Sequence, residues 1–254
     1  MRLNKYLAEC GICSRRGADR LIQEGRVLVN GAVAEMGLQV DGSEEIFVNG
    51  ERIGKPEETV IYLYHKPAGV VCTQKDPHAE RTLESELQLP VRVTYAGRLD
   101  KDSRGLLILT NDGDLIEEMM RGANAHEKEY LVRVDHEVTA DFLEKMKKGV
   151  FLQELKVKTR PCFAEKTGRD SFRIVLTQGL NRQIRRMCAE FGYRVEDLLR
   201  IRVVNLQLGD LKEGDIRQAD ESEIRGLRAA LEKEDGRNAK KDNGISKRGS
   251  AQYD

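Results

Sequence analysis

Two Asn-Gly dipeptides constrain the first part of this chain more than any other feature: Asn30–Gly31 in "RVLVNGAVA" and Asn49–Gly50 in "EIFVNGERI". A two-residue hairpin turn needs positive φ at both central positions, which asparagine and glycine tolerate best. With apolar residues alternating before each turn, the spacing predicts two tight hairpins. Ahead of them, Leu3, Tyr6 and Leu7 recur at helical spacing. Ser14 is placed to cap the N-terminus of a second helix in "RRGADRLIQEG", and Gly25 sits where that helix should end. Residues 1–53 therefore read as a small module of two helices followed by short strands. The stretch "GKPEET", 54–59, has the composition of a linker.

From Val60 to about Gln218 strands and helices mix without a steady strand–helix–strand rhythm. Strands are expected over Val60–Tyr64, Leu106–Thr110, Glu129–Val134, Phe172–Thr177 and Leu199–Leu206. Helices are expected over Asp114–Arg121, Thr139–Lys148 and Arg182–Glu190. Strands outnumber helices, which predicts an α+β domain around a mostly antiparallel sheet over 60–222. Residues 223–254 read as a charged extension, and its end, "RNAKKDNGISKRGSAQYD", is expected to be disordered.

Lysine plus arginine and aspartate plus glutamate each number 43, so the formal net charge is zero. A chain that binds nucleic acid with this balance must segregate its charge into patches. The start "MRLNKYLAEC" is charged and amphipathic, so no secretory signal is read there, and no apolar run is long enough to span a bilayer. The five cysteines show no repeated spacing and suit a reducing cytosol, so the chain is expected to be cytoplasmic.

Several motifs look chemical and do not hold up. Cys10 and Cys13 have C-x-x-C spacing, but no second pair or nearby histidine completes a zinc site, and a helix rather than a strand precedes them. "HEKEY", His126–Tyr130, begins like a helical zinc motif but ends in tyrosine, and His65, His78 and His136 are scattered. "DKDSRG", Asp100–Gly105, opens like a calcium loop, yet an arginine stands at its fifth position and an apolar strand follows. No metal site and no cofactor are expected.

Two basic clusters say more. Arg15, Arg16 and Arg20 fall on or beside one face of the second helix, with Lys5 on the first. On a compact module such a surface can grip RNA phosphates, although a solvated helix face would look the same. In "LNRQIRRMCAEFGYRVEDLLRIR", Ile184, Met187, Cys188 and Phe191 share an inner helix face, leaving Arg182, Arg185 and Arg186 near the helix start. Cations there oppose the helix dipole and call for an anion, either a protein carboxylate or a phosphate. In "YAGRLDKDSRGLLILTNDGDL", Asp112 and Asp114 fit turn and helix N-terminal duty. Asp100 differs, because it follows a strand directly and stands near Arg98.

Taken together, "AGRLDKDSRGLLILTNDG", "HEKEYLVRV" and "GLNRQIRRMCAEFGY" resemble the signature segments of bacterial ribosomal RNA pseudouridine synthases of the RsuA/RluB/RluF group. They look closest to the RluF branch, with the RluB type next. The first module is similar to the RNA-binding module named after ribosomal protein S4. The resemblance covers about residues 1–220 and implies a pseudouridine synthase fold behind a small S4-like domain. It implies isomerisation of uridine to pseudouridine in large-subunit (23S) ribosomal RNA by a monomer without cofactor. Asp100 matches the family's catalytic aspartate, acting as nucleophile or as base. Tyr130 matches the tyrosine that packs on the target uracil, and Arg185 the arginine that pairs with the aspartate. Arg98 matches the residue that fills the gap left by the flipped nucleotide, and Arg200 lies in the last motif. RNA contacts are expected from Lys5, Arg15, Arg16, Arg20, Arg98, Arg182, Arg186 and Arg200. The competing readings are a non-catalytic RNA-binding or ribosome-assembly factor, or the same reaction on small-subunit or transfer RNA.

Overall fold

The computed structural model describes residues 1–73, 80–121 and 126–232. The basic tail and His78 lie outside the described residues. The chain divides into two compact units. The first is Met1–Val60 with Leu89–Thr94 and Thr110–Gly113, and the second holds the rest.

The first unit carries α1 (Leu3–Glu9), α2 (Arg15–Gln23), β1 (Val27–Val29), β2 (Ala32–Val33), β3 (Ile46–Val48) and β4 (Glu51–Arg52). The strands form one sheet in the order β2-β1-β3-β4. Val29 pairs with Ala32 and Val48 with Glu51, so each Asn-Gly is a two-residue hairpin turn. Asn30 and Asn49 have φ of 50° and 55°, and Gly31 and Gly50 have 81° and 85°, the left-handed backbone that these turns demand. Ser14 caps α2 by accepting the Gly17 N–H at 3.1 Å, and Gly25 ends it at φ +68°. Leu3, Leu7, Ala18, Ile22, Val27 and Ile46 close the core between helices and sheet. The segment 54–59 is tied to this unit: Glu57 N–H donates to the Glu9 carbonyl at 3.1 Å, and Asn111 donates to the Glu58 carbonyl at 2.8 Å.

The remaining elements are β5 (Ile61–Lys66), α3 (Leu83–Glu86), β6 (Thr94–Ala96), β7 (Arg104–Thr110), α4 (Gly113–Met120) and β8 (Lys128–Val134). They continue with α5 (Ala140–Lys147), β9 (Phe151–Leu152), β10 (Val157–Lys158), β11 (Phe163–Lys166) and β12 (Ser171–Leu176). The last are α6 (Gln183–Ala189), β13 (Val195–Val203), β14 (Leu206–Gln207) and β15 (Ile216–Gln218). Residues 221–232 form a final helix. A nine-stranded sheet runs β11-β12-β8-β13-β7-β5-β15, with β14 beside β13 and β6 beside β7, and β9 and β10 pair separately. The pairs β11–β12, β12–β8, β8–β13, β13–β14 and β5–β15 are antiparallel, whereas β13 and β7 run parallel. The fold is thus α+β around a mostly antiparallel sheet.

Phe142 and Met146 of α5 and Ile184, Met187 and Cys188 of α6 pack on Val132, Phe172 and Ile174. A second core joins Leu106 and Ile108 of β7 to Leu115 and Met119 of α4 and to Leu227 and Leu231 of the last helix. The expected boundary at 222 therefore falls inside a helix whose apolar face belongs to the core. The expected strand Leu199–Leu206 begins earlier, at Val195, and breaks after Val203, where Val204 takes φ +55° in a hairpin turn.

Candidate active site

β6 ends at Ala96, Gly97 turns the chain at φ +83°, and a short turn leads into β7. Within that turn the Ser103 N–H donates to the Asp100 carbonyl at 3.1 Å. Leu99 and Ser103 point inward and are buried, while the Asp100 side chain keeps 34% of its exposure. Across the sheet, Arg200 of β13 lies opposite Tyr130 of β8 on one side and Gly105 of β7 on the other. Directly opposed residues on neighbouring strands send their side chains to the same face. The register thus brings β8, β13 and the Asp100 turn to one place.

A cavity of about 520 Å³ opens there. Its lining includes Asp100, Tyr130, Arg98, Lys128, Arg182 and Arg200. Asp100 is the single carboxylate among the described lining residues, which include four cations. An anionic ligand suits such a wall, and a lone carboxylate within it is an outlier that packing does not explain.

Two expectations need correction. Arg185 does not pair with Asp100. Its guanidinium donates to the Asp102 carbonyl at 2.8 Å and to the Val195 carbonyl at 3.1 Å, and lies 3.4 Å from the Asp102 carboxylate. The arginine nearest Asp100 is Arg182, at 4.0 Å, which also grips Asp102 through two bonds of 3.0 and 2.8 Å. Arg182 reaches that far because it stands outside α6 as its N-cap, in left-handed backbone at φ +51°. Second, Arg200 is not a surface contact for RNA. Only 1% exposed, it is held by the Leu106, Arg98 and Gly97 carbonyls at 2.7, 3.3 and 3.3 Å. Of the two anions that the α6 arginines called for, a protein carboxylate is present: Asp102 for Arg182 and Arg185, and Glu154 for Arg186.

The Asp102 carboxyl lies below its ordinary value. Burial acts to raise it, and the Arg182 hydrogen bonds with the charges of Arg185 and Arg182 outweigh that. Sequence reasoning missed Asp102 by treating the whole "DKDSRG" run as a failed calcium loop. It also passed over Lys128, whose Nζ donates to the His126 carbonyl at 3.3 Å, and Lys66, whose ammonium is wholly buried. In the other unit Arg15, Arg16 and Arg20 are exposed, with Arg20 4.0 Å from Glu24, and Lys5 lies 3.7 Å from Glu9. The Cys10 thiol donates to the Gly54 carbonyl at 3.5 Å, and burial pushes it up to about 11.

Comparison with known proteins identifies the family. A family described as RNA pseudouridylate synthase matches residues 60–190, and the S4 domain matches residues 1–46. The Escherichia coli (strain K12) protein named dual-specificity RNA pseudouridine synthase RluF is 44% identical over 234 residues, covering 91% of this chain and 80% of its own. This chain belongs to the RNA pseudouridylate synthase family. The Bacillus subtilis (strain 168) ribosomal large subunit pseudouridine synthase B is 36% identical over 236 residues, covering 90% of this chain and 96% of its own. A crystal structure of a pseudouridylate synthase superposes with a TM-score of 0.66 at 28% identity, covering 89% of this chain and 99% of that one. As a family member the chain is an RNA pseudouridine synthase, with an S4 domain ahead of its synthase region and RNA as its substrate.

Proposed function

We propose that Asp100 is the catalytic group and that the substrate is a uridine of large-subunit (23S) ribosomal RNA, everted into the cavity. The observation that carries this reading is the lone carboxylate of a cavity whose other charged lining residues, Arg98, Lys128, Arg182 and Arg200, are all cations. A base inside a stack is out of reach, and everting it costs a few kcal/mol, less in a loop. Tyr130 offers a ring for the uracil to pack on, and Arg98, exposed at the cavity, fills the vacated stack. Arg182, 4.0 Å away, is the cation beside the Asp100 carboxylate, a place first expected of Arg185. Arg185 instead ties the turn to β13 through Asp102 and Val195.

In the isomerisation the C1′–N1 bond breaks with its electron pair going to the uracil. The base rotates, C5 bonds to C1′, and the proton lost from C5 is matched by one gained at N1. Ionised Asp100 either attacks C1′ or removes a ribose proton. The reaction is redox-neutral, so the residues in hand suffice. The S4 domain, with Lys5, Arg15, Arg16 and Arg20, binds RNA by shape and charge. The name of the Bacillus subtilis relative supports a large-subunit target. The reading places a monomer in the cytoplasm, where ribosomal RNA is made.

The test uses ribosomal RNA carrying tritium at uridine C5. The wild-type chain should release label, and Asp100→Ala should abolish release while the protein stays folded and binds RNA. Binding without release by the wild-type chain would leave a non-catalytic RNA binder instead. Mapping pseudouridine in RNA from cells with and without the gene identifies the position.

A further inference from the structure

Two buried cations lie behind the Asp100 turn. Lys66, the last residue of β5, is fully buried, and its Nζ donates to the Pro67 and Ser103 carbonyls at 2.7 and 2.8 Å. Arg200 donates to the Gly97, Arg98 and Leu106 carbonyls. Among the described residues neither forms an ion pair with a carboxylate. Removing a cation from water costs several kcal/mol, which carbonyl dipoles offset only in part, and apolar side chains of similar size would serve packing as well. The partners show what the cost sustains. Arg200 holds the two carbonyls that precede Leu99 and Asp100, and Lys66 holds the carbonyl of Ser103, whose N–H closes the turn onto Asp100.

We propose that Lys66 and Arg200 are positioning residues that clamp the Asp100 turn from both sides and set two buried charges behind its carboxylate. The inference rests on the reading of Asp100 as the catalytic group. It gives the site a counter-charge that RNA phosphates cannot compete for, unlike the exposed Arg182. The charge on Lys66 is also poised to be lost. Burial pushes its ammonium down to about 8, with Arg200 acting in the same direction and Cys72, Asp102 and Asp100 acting against it.

The experiment compares full-length wild type, Lys66→Met and Lys66→Arg in single-turnover label release, RNA affinity and thermal melting. In the wild type the release rate should fall as pH rises through about 8. Folded Lys66→Met should lose on the order of 100-fold in that rate with RNA affinity kept, since small misplacement of a reacting group is that costly. It should also lose the inflection near pH 8, whereas Lys66→Arg should recover rate and hold it at higher pH. A folded Lys66→Met with wild-type rate and pH profile overturns the proposal. If that variant does not fold, hydrogen exchange of the wild-type Ser103 amide decides. Its protection, corrected for intrinsic exchange, should drop as pH rises through about 8, and constant protection overturns the proposal. That measurement needs no RNA, so it can fail independently of the reading of Asp100, which falls if the wild-type chain releases no label or Asp100→Ala still releases it.

Discussion

Gly105 is where the sheet and the site depend on the same atom being absent. In the parallel pair of β7 and β13 it lies against Arg200, at φ +111°. A Cβ there would stand 2.3 Å from the Arg200 carbonyl oxygen and 2.6 Å from its nitrogen, both backbone atoms that no rotamer can move aside. In Gly105→Ala the strands must part or the β7 backbone must rotate. Forcing extra volume into a packed interior costs about 1–3 kcal/mol, and holding alanine in glycine's backbone region costs about 1–3 kcal/mol more. At roughly 2–4 °C per kcal/mol for a chain of this size, the melting temperature should fall by roughly 5–20 °C. Displacing the Arg200 backbone also shifts the guanidinium that holds Gly97 and Arg98, so label release should fall even where the variant is folded. Gly113→Ala, at the start of α4, is the control, because nothing lies within 4 Å of its Cβ. Calorimetric melting of both variants checks the argument. A Gly105→Ala protein melting within about 2 °C of wild type would refute it, because that shift corresponds to only about 1 kcal/mol.

Removing the α2 cap with Ser14→Ala should cost the first unit about 1 kcal/mol, read by urea denaturation followed with a probe placed in that unit. Lys156, exposed in the β9–β10 turn at φ +52°, pays left-handed strain, so Lys156→Gly should be neutral to stabilising by up to about 1 kcal/mol in the same assay. Burial pushes the Cys162 and Cys188 thiols up to about 11 and about 12 from an ordinary 9.0. They stay protonated in the folded chain while ionising in the unfolded one, so stability should decline as pH rises from 9 towards 11 and beyond. Cys162→Ala should flatten that decline in urea titrations at several pH values.

Elements with local causes were legible in the order of residues. The Asn-Gly hairpins and the Ser14 cap depend on backbone preferences of adjacent residues, and the inner face of α6 on spacing alone. Elements without a local signal were not. The break after Val203 uses a β-branched residue at positive φ, which no propensity would assign to a turn. The helix at 221–232 looked like charged tail because only Leu227 and Leu231, with the partly buried Ile224, mark its inner face. Lys66 carried no sign of its bond to Ser103, 37 positions away, nor Asp102 of its arginines, 80 or more positions away.

By itself the sequence determined its hairpins and the α2 cap, because turn and cap preferences are properties of neighbours along the chain, and its resemblance to a known family pointed to the kind of protein this is. It also singled out Asp100 as an unexplained loop carboxylate. Only the tertiary structure decided which cation serves that carboxylate. The parallel seam between β7 and β13 buries Arg200 behind the turn, while the left-handed cap before α6 sends Arg182 towards Asp100 and leaves Arg185 on Asp102. Charge pairing follows distance in space, and strand register and cap geometry set that distance.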